Sequence, residues 1–169
     1  MFHVPCFMKF LGIDPGTATT GWAVLEENKG QVTAVAFGHI STSPQNTVAD
    51  RLKEVADDLR GIIRKYRPQE SAVEDIFFFK NVKTAVKVSQ SRGAILLTLE
   101  QENVKIFSYT PLQVKQALTG YGRAEKKQIQ LMVKNILKLK AIPKPDDTAD
   151  AIAIALCHIN SRKMKSYNI

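Results

Sequence analysis

Cysteine and histidine are scarce in this chain: two and three among 169 residues, with Cys6, Cys157, His3, His39 and His158 showing no metal-ligand spacing. That excludes a disulfide framework and a zinc site of the usual patterns, and it suits a reducing compartment. His158, inside an apolar helical pattern, is expected to be packed rather than to bind metal. No apolar run reaches the roughly 18 residues of a membrane span. The first residues also lack the basic start and apolar stretch of a secretion signal, so a cytoplasmic protein is expected. Repeats, low-complexity tracts and linkers are lacking too. One domain over residues 8–163 is expected, between an irregular extension, residues 1–7, and a short tail, residues 164–169; Met8 is an alternative start.

Acidic residues are missing from one region in particular. The chain has 24 Lys and Arg against 16 Asp and Glu, a formal charge of +8, but residues 80–140 hold twelve basic side chains and only Glu100, Glu102 and Glu125 in opposition. The remainder is near neutral. A basic middle beside acids elsewhere suggests a polyanion held by one part of the protein and processed by another.

The periodicities are clear. Residues 9–14 form a short apolar run closed by Pro15-Gly16, and residues 21–26 and 31–39 follow around the turn at Asn28-Lys29-Gly30, which predicts an antiparallel meander. Thr47 and Asp50 open a helical pattern that runs through Val55, Leu59 and Ile63 to Tyr66. Residues 71–74 and 104–109 read as strands. Between them residues 81–102 read as a helix interrupted near Gly93. Thr110-Pro111 starts a short helix to Leu118. Residues 119–123 are expected as a mobile basic loop, and two further helices follow, the last over about residues 146–161. Strand–helix–strand connections imply parallel neighbours with right-handed crossovers. The expected fold is α/β: a mixed five-stranded sheet in order 3-2-1-4-5 with helices on both faces.

Four carboxylates sit where that topology would gather them. Asp14 ends the first strand and Glu74 the fourth, so both reach one rim, where ligands collect in such sheets. Asp75 adjoins Glu74, and alternation sends the two to opposite faces without saying which is used. Asp147 and Asp150, three apart, share one face of the last helix, while interaction with the helix dipole accounts for one of Asp146 and Asp147 at its start, without saying which. Like charges at short range disfavour one another's ionisation unless a cation lies between them. Oxygen-only ligation favours Mg²⁺ or Mn²⁺. Two such ions about 4 Å apart stabilise the attacking and leaving oxygens of an in-line phosphoryl displacement, which is nuclease chemistry.

At these residues the chain resembles the RuvC family of Holliday junction resolvases. The resemblance runs from Phe10 to about His158. It is carried by Leu11-Gly12-Ile13-Asp14-Pro15-Gly16-Thr17 with Thr20-Gly21, Val73-Glu74-Asp75-Ile76-Phe77 with Lys80-Asn81, Gln90-Ser91-Arg92-Gly93, Val114-Lys115-Gln116, Ala124-Glu125-Lys126 and Asp147-Thr148-Ala149-Asp150-Ala151. It implies an RNase H-like fold and paired symmetric nicking of four-way DNA junctions, leaving 5′-phosphate and 3′-hydroxyl ends. It also implies two Mg²⁺ ions per subunit, with Mn²⁺ as a substitute, held by Asp14, Glu74, Asp147 and Asp150, and so selects Glu74 over Asp75. Lys115 and Lys126 match basic residues near the scissile phosphate. Phe77 matches an aromatic set against bases at the junction centre, and Lys80 and Arg123 are expected on the DNA. The partners implied are a second copy of the chain, through the helix bearing Val86, Ala94 and Leu97, and the branch-migration proteins RuvA and RuvB. Thr17-Ala18-Thr19 departs from the family by lacking a basic residue.

Two other classes are open to the sequence. An actin-like or sugar-kinase ATPase would share Asp-x-Gly-Thr followed by Thr-Gly, but needs a second such hairpin, and this chain has none. A junction-binding protein without catalysis would not need the four acids.

Overall fold

The computed structural model describes residues 7–76 and 82–166. Three antiparallel strands come first, β1 (Phe7–Asp14), β2 (Thr19–Asn28) and β3 (Gln31–Ser41), then α1 (Val48–Tyr66), β4 (Glu70–Glu74), α2 (Val82–Gln101) and β5 (Lys105–Tyr109), and finally α3 (Pro111–Thr119), α4 (Lys126–Ile136) and α5 (Asp146–Ser166). The sheet order is β3-β2-β1-β4-β5, with β1–β4 and β4–β5 parallel and the meander antiparallel. That is the mixed five-stranded architecture expected from the sequence.

Alternation along the strands divides the core in two. Phe10, Leu25 and Ala72 face α3, α4 and α5 in one cluster. Leu11, Ile13, Val24 and Val73 face α1 and α2 in the other, with Val55, Leu59, Ile63, Ile95 and Leu99. Local signals set the helix ends: Thr47 accepts from the Asp50 amide at the start of α1, and Thr110 and Gln113 form a capping box before Pro111 in α3.

Several boundaries differ from expectation. Strand β1 begins at Phe7, because Phe7 already pairs with Asn28 of β2, and α5 continues to Ser166, into the expected tail. The interruption near Gly93 does not occur. Gly93 is exposed, and α2 is held across it by the buried Ser91, Ile95 and Leu99, whose packing outweighs a helix penalty of about 1 kcal/mol for one glycine. The segment 119–123, expected as a loop, is a turn in which Gly120 caps α3 in the left-handed region and the Thr119 hydroxyl accepts from the Tyr121 amide at 3.1 Å. His158 is buried, with Nε2 2.9 Å from Glu70 Oε2 and Nδ1 2.8 Å from the Tyr109 hydroxyl.

Candidate active site

The site is built where β1, β4 and α5 meet. In the parallel register Ile13 lies beside Val73, so Asp14 and Glu74 are the next pair along two strands spaced about 4.8 Å apart. Both have the parity of Phe10 and Ala72 and therefore face α5. Asp75 falls on the α2 side. There its Oδ1 lies 3.2 Å from Arg92 Nη2 and accepts from the Ile76 amide at 3.0 Å. Tertiary structure thus separates two adjacent acids that the sequence leaves equivalent.

Helix α5 reaches the rim because two glycines let it. A Cβ on Gly12 would collide with the Ala151 carbonyl oxygen and come within 2.8 Å of Ala155 Cβ; one on Gly21 would collide with the Asp147 carbonyl oxygen. Backbone therefore packs on backbone at β1 and β2, a close approach that only glycine permits. The Thr148 hydroxyl adds a bond of 3.2 Å to the Gly38 carbonyl. The first turn of α5 is pinned to the sheet, with Asp147 and Asp150 half-buried beside the strand ends.

Electrostatics register the crowding. Burial, then the charges of Glu74, Asp150 and Asp147, push Asp14 from 3.8 to about 8, against the opposing pull of Lys126. Glu74 is pushed up to about 7 by burial and by Asp150. Asp150 is raised too, chiefly by burial, although Lys126 pulls it down. Lys126 Nζ lies 3.1 Å from Asp150 Oδ2 and 3.4 Å from Asp146 Oδ2. Its own pKa is raised: burial opposes this, but the hydrogen bond and charge of Asp150, with Asp146, outweigh it. Among the described residues no group of three or more His, Cys, Asp or Glu side chains is gathered tightly enough to enclose an ion. The carboxylates sense one another without closing on a common point, and the cation beside Asp150 is a lysine.

A cleft of about 210 Å³ opens beside these acids, lined by Glu74, Asp150, Lys126 and Lys115 over an apolar floor that includes Val114 and Ile154. Lys115 and Lys126 are therefore brought to the acids as expected. Arg123 is exposed in the turn between α3 and α4 and does not line the cleft. Phe77 and Lys80 lie outside the described residues. Asp146, one of the two acids expected at the start of the last helix, receives the Gln130 side-chain amide at 3.0 Å and lies 3.7 Å from Lys144 Nζ. No sequence spacing signals that contact, because α4 and α5 meet only in three dimensions.

The family model described as crossover junction endodeoxyribonuclease RuvC matches residues 10–158. This chain belongs to the RuvC family. It is 49% identical over 160 residues to a crossover junction endodeoxyribonuclease RuvC from Syntrophomonas wolfei, covering 95% of this chain and 93% of the relative. A RuvC from Halothermothrix orenii is 52% identical over 157 residues, covering 93% and 95%. Among solved structures, Thermus thermophilus RuvC superposes with a TM-score of 0.86 at 37% identity, covering 94% of this chain and 97% of that one. The same protein in complex with a Holliday junction substrate superposes at 0.89, also 37% identical, covering 94% and 96%. The fold is thus the RNase H-like fold of RuvC. The donor set at this rim, all hard carboxylate oxygens, suits the divalent cation that RuvC-type nuclease chemistry implies.

Proposed function

We propose that this chain is a Holliday junction resolvase: a cytoplasmic, Mg²⁺-dependent endonuclease that nicks four-way DNA junctions symmetrically, leaving 5′-phosphate and 3′-hydroxyl ends, in recombination and repair. The observation that carries this reading is the gathering of Asp14, Glu74, Asp147 and Asp150 from β1, β4 and α5 at one rim, in a chain of the RuvC family. Residues 8–163 form the nuclease domain in this account.

Asp14, Glu74, Asp147 and Asp150 would hold two Mg²⁺ ions, with Mn²⁺ able to substitute, and these would supply activation of the attacking water and neutralisation of charge on the leaving 3′ oxygen. Near neutral pH the carboxyl of Asp14, pushed up to about 8, is mostly protonated and that of Glu74, pushed up to about 7, is protonated in part; those protons must leave before the oxygens can ligate, so metal uptake is proton-releasing. Lys126 sits beside Asp150 and Lys115 across the cleft, where their ammonium groups can orient the scissile phosphate and offset charge that grows in the transition state. The excess of basic side chains over residues 80–140 holds the backbone of the arms, with Arg123 and Lys80 on DNA and Phe77 against an opened base at the crossover. Stacking of that kind is worth about 1–3 kcal/mol and is tolerant of sequence.

Two equivalent cuts call for two equivalent sites, hence a twofold dimer. Val82, Val86 and Leu97 of α2 are 74%, 51% and 59% exposed and supply an apolar surface for a second copy. RuvA and RuvB homologues would deliver the migrating junction. The test is cleavage of a mobile junction with mapped nick positions, with and without Mg²⁺, for the unsubstituted chain and Asp14→Asn. Paired nicks that vanish without Mg²⁺ and in the variant support the reading. Equal cutting of linear duplex would remove the junction selectivity.

A further inference from the structure

The segment Gln90-Ser91-Arg92-Gly93 carries part of the family resemblance but has no place in the chemistry above. In the fold it lies on α2, on the opposite face of the sheet from α5. The Ser91 hydroxyl is fully buried and donates to the Gly16 carbonyl at 2.9 Å, in the turn that follows Asp14. The same carbonyl accepts from the Thr20 hydroxyl at 2.7 Å. One turn earlier on α2, the Lys87 carbonyl accepts from the Thr17 hydroxyl at 2.9 Å. The turn carrying Asp14 is thereby fastened to α2 twice.

Arg92 fastens the other strand end. Its Nε donates to the Glu74 carbonyl at 3.1 Å, and its Nη2 donates to the Ser108 hydroxyl at 2.9 Å and lies 3.2 Å from Asp75 Oδ1. The guanidinium side chain is only 18% exposed. A planar fork with fixed donor directions, spread over acceptors on β4, on β5 and on Asp75 just beyond β4, sets an orientation that a single ammonium on a flexible stem does not. Successive helix residues point about 100° apart, so Ser91 and Arg92 address the ends of the neighbouring strands β1 and β4 from one turn of one helix.

We infer that Ser91 and Arg92 are positioning residues for the nuclease reaction: from α2 they brace the backbone behind Asp14 and Glu74 and so set the separation of those two carboxylates. The inference rests on the nuclease reading, since it assigns these bonds the task of preorganising metal ligands. Two carboxylates that are to share an ion need a fixed separation, and the backbone is the only part of either residue that the brace restrains. The brace lies outside the cleft, which neither Ser91 nor Arg92 lines. Its loss should therefore appear in metal affinity and turnover, not in junction binding. Groups that orient ligands from behind typically change metal affinity about 10- to 100-fold when altered.

The experiment measures Mn²⁺ binding by calorimetry on the full chain without DNA, and kcat and KM for junction nicking, in Arg92→Gln, Arg92→Lys and Ser91→Ala. Arg92→Gln is expected to weaken Mn²⁺ binding about tenfold and to lower kcat with KM for the junction unchanged. Arg92→Lys, keeping the charge but not the fork, should be nearly as impaired, and Ser91→Ala less so because Thr20 still bonds Gly16. If Arg92→Gln does not fold, Arg92→Lys and Ser91→Ala decide. A lowered melting temperature with wild-type Mn²⁺ affinity and kcat would overturn the brace and leave only a structural role. Failure of the unsubstituted chain to bind Mn²⁺ or cut junctions would overturn the nuclease reading itself.

Discussion

Replacing Asp14 with asparagine should make the metal-free protein more stable while making it inactive. In the folded chain Asp14 holds its proton up to about pH 8, against 3.8 for an ordinary aspartate. Over that window the native state binds more protons than the unfolded one. Stability therefore falls as pH rises, by up to about 1.4 kcal/mol per pH unit, and reaches its floor once the folded pKa is passed. At about pH 7 roughly three units of that window have been crossed, which sets a ceiling of about 4 kcal/mol on the penalty. Side-chain relaxation and water entry at a half-buried site reduce it to about 1–3 kcal/mol. Asparagine has the same shape and no charge, so it removes the penalty. For a chain of this length the melting temperature should rise by roughly 3–10 °C. The assay is thermal unfolding by circular dichroism in EDTA at about pH 8 and about pH 5; the stability gap should be wide at the alkaline value and small at the acid one. Saturating Mg²⁺ should reverse the order, because a ligand at about 100 times its Kd adds about 2.7 kcal/mol to the protein that binds it. An asparagine variant no more stable than wild type at about pH 8, or a gap that does not shrink on acidification, would refute the claim that burial and neighbouring carboxylates disfavour the charged form of Asp14.

Other consequences follow from the packing. Gly21→Ala must push α5 from the sheet, since its Cβ meets the Asp147 carbonyl; overpacking should destabilise by about 1–3 kcal/mol, and a shift of about 1 Å in Asp147 should lower the nicking rate by roughly 100-fold. Gly61→Ala, on an exposed face of α1 with open space around it, should instead stabilise by about 0.5–1 kcal/mol in unfolding titrations and leave nicking unchanged. Glu70→Ala removes the buried acceptor shared by His158 and Arg162; a loss of about 2–3 kcal/mol is expected in urea unfolding, with nick positions unaltered. Lys126→Met should lower kcat for nicking while retaining junction binding measured by gel shift, and equal losses of both would assign Lys126 to DNA affinity alone.

Much of this protein is legible as a string because its signals are local. Thr47 and Thr110 mark helix starts through bonds to residues three positions away, Pro111 does so through its fixed backbone angle at the first helical position, and the Asn28-Lys29-Gly30 turn sets the β2–β3 pairing in its own neighbourhood. The order of strands and helices then leaves few arrangements, and placing β4 beside β1 puts Asp14 and Glu74 at one rim. Family motifs, each only a few residues long, named the same acids. What they could not reach are contacts between residues distant in sequence. Asp75 is set apart from Glu74 by Arg92 on α2, and Lys126 is paired across α4 and α5 with Asp150 and Asp146. Gly93 reads as a helix breaker until the buried Ser91 and Ile95 on either side of it are seen to hold α2 in place.

The amino-acid sequence by itself determined which residue types end the strands, and hence that acids would gather near a basic surface. Only the tertiary structure decided how closely they gather. That depends on α5 lying backbone to backbone on Gly12 and Gly21, and on the ends of β1 and β4 being tied from behind by α2. The physical reason is range. Propensity and periodicity act over one turn or one strand, whereas the proton affinity of Asp14 sums burial and the charges of Glu74, Asp147 and Asp150, which come together only when the chain is folded.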